Sequence, residues 1–162
     1  MDVSGDYEED ILRSLRRVTR AIDLYSRQLA KQYQLTGPQV VCIRQIQRDT
    51  PTSPGELARA ISLSQATVTG ILDRLLKRGL VRRERSEEDR RRVIVTLTSS
   101  GKELARTVPS PLQERFAERL AALPDENRAV ISTVLQQVVR MMEAQDLDAA
   151  PVLDVSPALD GD

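Results

Sequence analysis

Near the start of the chain apolar residues recur at three- and four-residue steps: Leu15, Val18, Ile22, Tyr25 and Leu29. That spacing predicts one long amphipathic helix over about residues 8–33, with Arg13, Arg16, Arg17, Arg20, Arg27 and Lys31 falling mostly off the stripe. No partner element lies nearby in sequence, so the stripe is expected to be buried against a second subunit. Thr36-Gly-Pro-Gln39 sets a capping threonine, an early proline and a glutamine able to reach back to the cap. A second helix should start there and run through Val40, Val41, Ile43 and Ile46 to about Arg48. Ser53-Pro-Gly-Glu56 repeats the device for a short third helix, whose buried face reads as Leu57, Ala60 and Ile61. Ser62 and Leu63 make a turn, and a fourth helix follows over 64–78. Its inward positions are Leu63, Val68, Ile71, Leu72, Leu75 and Leu76, and Gly79 is its C-terminal stop.

After Gly79 the period changes. Residues 93–97, Val-Ile-Val-Thr-Leu, are β-branched and read as a strand. Residues 81–85, Val-Arg-Arg-Glu-Arg, form its polar partner across a charged turn at 86–92. Thr98 caps another helix, in which Leu104, Val108, Leu112, Phe116 and Leu120 recur every fourth residue; Pro109 and Pro111 should kink or split it. A last helix follows Pro124 and carries a broad apolar band: Val130, Ile131, Val134, Leu135, Val138, Met141 and Met142. Residues 146–162 hold five Asp, no cation and no period, and read as a flexible acidic tail.

Helix, tight turn, helix and a two-stranded hairpin rich in arginine is the outline of a winged helix-turn-helix. The fold class expected is therefore mainly α with a small β-hairpin wing, flanked by N- and C-terminal dimerisation helices. Four segments follow: a tail and dimerisation helix (1–34), the winged domain (35–98), C-terminal dimerisation helices (99–145) and the acidic tail (146–162). Such a unit places its second helix in the major groove of double-stranded DNA. The outer face of that helix carries Gln65, Ala66, Thr69, Gly70, Asp73, Arg74 and Lys77, small and polar toward its N-terminus as approach to base edges requires. The DNA-reading set is Ser64, Gln65, Ala66, Thr67, Thr69, Gly70, Arg74 and Lys77.

Net charge is zero, yet residues 74–92 hold nine basic residues against four acids, a local charge of +5. A basic surface beside a recognition helix suits phosphate binding, which is driven by release of counterions. Aromatic residues make up only 2% of the chain, too few for a base-stacking surface for single strands. Histidine is absent and Cys42 is the single cysteine, which removes His-based triads and the usual zinc sites. Glu88 and Asp89 lie in an exposed charged turn, with no apolar setting to raise a carboxyl pKa for acid–base work. Neither an enzyme nor a bound cofactor or metal is expected. The acidic N-terminus is unlike a secretory signal and no apolar run approaches a membrane span, so a cytoplasmic location is expected. Cys42, in the apolar stretch Val40-Val-Cys-Ile43, reads as a core residue of low reactivity.

Gly55-Glu-Leu-Ala58, Thr67-Val-Thr69, Leu72-Asp-Arg-Leu75, Gly79-Leu-Val-Arg82, Asp89-Arg-Arg91 and Val95-Thr-Leu-Thr98 together resemble the MarR family of bacterial regulators. The resemblance covers about residues 35–101. It implies a homodimer whose first and last helices interleave, two winged lobes on a palindromic operator, repression as the usual outcome, and response to a small-molecule effector or other signal. It also implies roles for single residues. Arg91 would enter the minor groove with Asp89 bracing it. From position alone, Arg90 and Arg92 flank Arg91, so one or both should meet phosphates. Asp73, an acid on a DNA-facing helix, should pair with Arg74, Arg83 or another wing cation and help hold the wing. Leu15, Ile22, Tyr25 and Val41 would line an effector pocket. The tract Arg20-Ala-Ile-Asp-Leu-Tyr-Ser26 with Leu35-Thr-Gly-Pro-Gln39 is similar to a subset of the family tied to osmolyte synthesis, which implies a target pathway of that kind. The contrasting reading is a winged helix used for protein contact without an operator, which steep salt dependence of DNA binding would exclude.

Overall fold

The computed structural model describes residues 3–147 and 152–155. The first helix, α1 (Val3–Gln28), passes into one wide π-helical turn (Leu29–Tyr33), and Gln34 leaves it in the left-handed conformation at φ 53°. Then come α2 (Gly37–Arg48), α3 (Pro54–Ala60), α4 (Gln65–Lys77), β1 (Val81–Arg85), β2 (Val93–Leu97) and α5 (Ser99–Thr107). Residues 3–109, with 152–155, form one compact unit; residues 110–147 belong to a second, containing α6 (Leu112–Ala121) and α7 (Asp125–Met141).

Local chemistry accounts for most of these boundaries. Ser53 Oγ accepts the Glu56 N–H while Glu56 Oε2 accepts the Ser53 N–H at 2.8 Å, so two groups that the first turn of α3 would leave orphaned are satisfied together. Thr36 and Gln39 form the same box on α2. Helix α4 ends in a Schellman arrangement: Leu80 N–H donates to Leu75 O at 3.0 Å and Gly79 N–H to Leu76 O at 2.9 Å. Gly79 adopts φ +68° there, a conformation that costs other residues a Cβ clash. The C-terminal helix pattern splits in two, α5 ending at Thr107 and α6 starting at Leu112, because prolines at 109 and 111 interrupt the ladder.

The core of the winged unit is built from α2, α3, α4 and the hairpin. Val40, Cys42, Ile43, Ile46, Leu57, Val68, Leu72, Leu75, Val95 and Leu97 are all buried. The hairpin is antiparallel, with Val81 opposite Leu97 and Arg83 opposite Val95. Thr52 adds a single bridge, its carbonyl accepting the Val95 N–H at 2.7 Å.

Four expectations of burial are corrected. Ala58 is buried in α3 and Ala60 is exposed, because the helix is short and its inward stripe follows Leu57 directly. Leu76 is exposed, since it lies past the edge of the inward stripe that Val68, Leu72 and Leu75 set along α4. Ile61 and Leu63, on either side of the turn between the two helices, are half-buried.

Of the stretch read as an acidic tail, residues 146, 147 and 152–155 are described. Val152 is buried, and Asp154 Oδ1 accepts from Ser26 Oγ at 2.5 Å while its Oδ2 accepts the Gly37 N–H at 3.0 Å. A carboxylate at the first turn of α2 meets both the helix dipole and a free N–H.

Candidate nucleic-acid interface

Helix α4 presents two different faces. Val68, Ile71, Leu72 and Leu75 are buried, while Gln65, Ala66, Thr69, Gly70, Arg74 and Lys77 are exposed. Ser64 is the cap: its Oγ accepts the Thr67 N–H at 3.1 Å and lies 2.7 Å from Thr67 Oγ1. Those two hydroxyls are therefore committed to starting the helix. Thr69 Oγ1 donates back to Gln65 O at 2.8 Å, and both residues are exposed. A Cβ added at Gly70 would meet nothing within 4 Å, so the backbone there is open to close approach.

The wing is held at both strands by ion pairs. Arg83 Nη1 lies 2.8 Å from Asp73 Oδ1, linking β1 to α4 and giving the acid on the recognition helix a structural reason. Arg83 Nε is buried without a partner among the described residues. Arg92 Nη2 lies 2.6 Å from Glu56 Oε1, linking the root of β2 to the start of α3. Glu56 thus caps α3 with one oxygen and holds the wing with the other. Its hydrogen bonds from the Ser53 backbone and hydroxyl, with the nearby Arg92 charge, hold its carboxyl below the ordinary carboxylate range.

In the wing turn, Ser86 N–H donates to Arg92 O at 2.9 Å and Arg92 N–H to Asp89 O at 2.9 Å. Asp89 Oδ1 accepts the Arg91 N–H at 2.9 Å. Asp89 therefore braces the backbone of Arg91 and leaves its guanidinium outward.

The nine cations of residues 74–92 now divide by role. Arg78 donates to Gln34 O at 2.6 Å and to Tyr33 O at 3.0 Å, closing the end of the first helical segment. Arg82 pairs with Glu84, Arg83 with Asp73 and Arg92 with Glu56. Among the described residues Arg74, Lys77, Arg85, Arg90 and Arg91 have no side-chain partner, and all five are exposed on α4 or the wing. Sequence reasoning missed the roles of Arg78 and of the Glu56–Arg92 pair. Each joins residues more than thirty positions apart, for which the local pattern carries no signal.

The residues expected to line an effector pocket fall on α1 and α2: Tyr25 is buried, with its hydroxyl 3.4 Å from Pro109 O, while Leu15, Ile22 and Val41 are half-buried. Cys42 is fully buried, and burial pushes its thiol up to about 12. No helix among the described residues is long and apolar enough to cross a membrane, and no cluster of potential metal ligands occurs among them.

A capped recognition helix, a braced hairpin and unpartnered cations on both define a winged helix-turn-helix protein built to meet DNA. Comparison with known proteins gives the relationship. The MarR family profile matches residues 35–93. The chain is 30% identical to the HTH-type transcriptional regulator YfiV of Bacillus subtilis over 67% of its own length and 68% of that protein's. It is 38% identical to the HTH-type transcriptional repressor NicR of Pseudomonas putida, over 59% of this chain and 61% of the other. Its fold is similar to that of S. aureus MepR in a crystallised MepR–DNA complex, with TM-score 0.56, 21% identity, and coverage of 80% of this chain and 96% of that one. This chain belongs to the MarR family and is a DNA-binding transcriptional regulator.

Proposed function

We propose that the protein acts as a homodimer on a palindromic operator, as a repressor, and that its occupancy of DNA responds to a small ligand or signal. The observation that carries the DNA reading is the set of five unpartnered cations on α4 and the wing beside an exposed, small-residue helix face. Gln65 and Thr69 make the base contacts. Ser64, Ala66, Thr67 and Gly70 allow the helix backbone near the groove floor, and Arg74 and Lys77 meet phosphates. Arg91 enters the minor groove, where narrow walls concentrate negative potential, and Arg90 contacts the flanking backbone. Arg92 supports the wing through Glu56.

The homodimer rests on uncovered apolar surface. Ile11, Leu12, Val18 and Leu24 of α1 are exposed, as are Phe116 of α6 and Val130, Val134, Leu135 and Met141 of α7, and no residue of α6 or α7 is buried. Apolar area of that extent on a single chain calls for a partner, and a second copy related by a two-fold axis supplies it. A two-fold dimer reads an inverted repeat with half-sites about 34–36 Å apart. Occupying a site of that length over a promoter excludes polymerase. The likeness to NicR, a repressor, supports that direction of control.

Selection of bound duplexes from a random library tests this reading. An enriched inverted repeat with half-sites one turn apart is expected, and its genomic matches would also test the osmolyte-synthesis target. No retained DNA at moderate salt would instead favour a protein-contact module.

A further inference from the structure

Successive side chains of a strand point to opposite faces, so Arg82 and Arg83 diverge. Arg83 faces α4 and Asp73; Arg82 faces the other way and donates Nε to Thr96 Oγ1, its cross-strand neighbour, at 3.0 Å. On that second face a cavity of about 470 Å³ opens between the end of α2, the hairpin and α5. Ile46 and Leu97, both buried, and Pro51 supply apolar walls. Three cations line it: Arg82 from β1, and Lys102 and Arg106 one helical turn apart on α5. No carboxylate is among its lining residues.

None of these three cations belongs to the DNA-facing set. Arg82 pairs with Glu84 at 3.1 Å and Arg106 with Glu103 at 3.4 Å, both in exposed geometry where an ion pair contributes little and exchanges readily. Lys102 has no partner among the described residues. All three cations line one cavity with an apolar floor, and a ligand anion can compete with the exposed partners Glu84 and Glu103 for the two guanidiniums while Lys102 adds a third positive charge. Two guanidiniums also offer forked donor pairs, which suit the planar or tetrahedral oxygens of a carboxylate or phosphate.

We propose that this cavity binds a small organic dianion, a phosphomonoester or dicarboxylate on a compact apolar body. The charged head lies among Arg82, Lys102 and Arg106, and the body lies on Ile46, Pro51 and Leu97. The volume falls in the usual range for small-molecule sites, and the mixture of apolar wall and few convergent polar groups is their usual make-up. The site touches α2, the hairpin and α5 at once, so an occupant favours one arrangement of these elements over others. Only this regulatory consequence rests on the function proposed above; binding itself needs no DNA.

The test is calorimetric titration of the intact protein with phenyl phosphate, repeated with inorganic phosphate and with benzyl alcohol, which separate the charge from the apolar body. Saturable binding at one site per chain, with Kd below about 1 mM, is expected. Each half-probe should bind at least about tenfold more weakly, a difference of about 1.4 kcal/mol. The double variant Lys102→Gln with Arg106→Gln should weaken phenyl phosphate by about tenfold or more, while Arg90→Ala, at an exposed wing position outside the cavity, should leave it within about twofold. If the double variant melts early, Lys102→Glu alone, at an exposed position, replaces it. The proposal is overturned by the absence of saturable heat, by equal affinity for inorganic phosphate, or by equal losses in Arg90→Ala and the double variant. Operator binding by the same double variant reports separately: if retained while phenyl phosphate fails to bind, the site is lost and the regulator reading stands.

Discussion

Arg91 and Cys42 show how residue type acquires meaning from surroundings. Arg91 has a braced backbone and an unpartnered guanidinium at the wing tip, so Arg91→Ala should weaken operator binding by about 1–3 kcal/mol with the dimer still folded. Unchanged affinity in a fluorescence-anisotropy titration would remove its groove role. Cys42 is the opposite case, a reactive type made inert by burial. Its thiol is raised from 9.0 to about 12, so the folded state favours the neutral form. The resulting stabilisation is present below the unfolded value of 9.0 and is lost as pH rises toward about 12. At a pH of about 8, below both values, a chromogenic disulfide reagent should leave the native protein unmodified and label it fully in denaturant. Rapid native labelling would contradict the burial. The burial of Cys42 was legible from its apolar neighbours; the motif Asp89-Arg-Arg91 singles out Arg91 as the position to test. The pairs Arg83–Asp73 and Arg92–Glu56 were less so, because a cation's side-chain partner depends on which elements the fold brings near.

At the scale of elements, two helical glycines should respond in opposite ways. A Cβ at Gly101 would lie 2.0 Å from Leu80 O, because the first turn of α5 is drawn onto the end of α4 by Thr98. Gly101→Ala should therefore destabilise the fold, by about 1–3 kcal/mol as overpacking generally does, read as a lower urea midpoint. Gly70 has open space around it, so Gly70→Ala should raise stability by about 0.4–1 kcal/mol through the unfolded chain. The same methyl lies on the face proposed to enter the groove, so operator affinity should fall. Stability gained with affinity unchanged would place the DNA farther from this turn. Every strand and nearly every helix boundary was readable from caps, prolines and periodicity, since those act between near neighbours in the chain. The wide turn at Leu29–Tyr33 was not, because a carbonyl–amide offset of one residue leaves no mark on the apolar pattern.

For the whole molecule, the apolar stripes of α1, α6 and α7 matter most. Val18 of the first stripe, its neighbours Ile11, Leu12 and Leu24, Phe116 of α6 and Val130, Val134, Leu135 and Met141 of α7 are exposed in the single chain. Tyr25 and Leu29 of the first stripe are instead buried within it and need no second subunit. Leu135→Asp should shift the protein from dimer to monomer at micromolar concentration in sedimentation, with operator binding lost in parallel. A variant that stays dimeric would move the interface away from α7. That the chain folds as a winged helix-turn-helix, and that its last helices carry apolar bands, follows from patterns local in sequence. Caps, turns and amphipathic periods are short-range, and a charged hairpin beside a polar helix face already specifies an anionic target. Tertiary structure alone decided which of nine neighbouring cations remain available to that target, that Glu56 serves two elements at once, and that Asp154 returns to Ser26 and Gly37. The strength of an ion pair or a cap falls off within a few ångströms. Which charges come that close is settled by packing of the core, not by order along the chain.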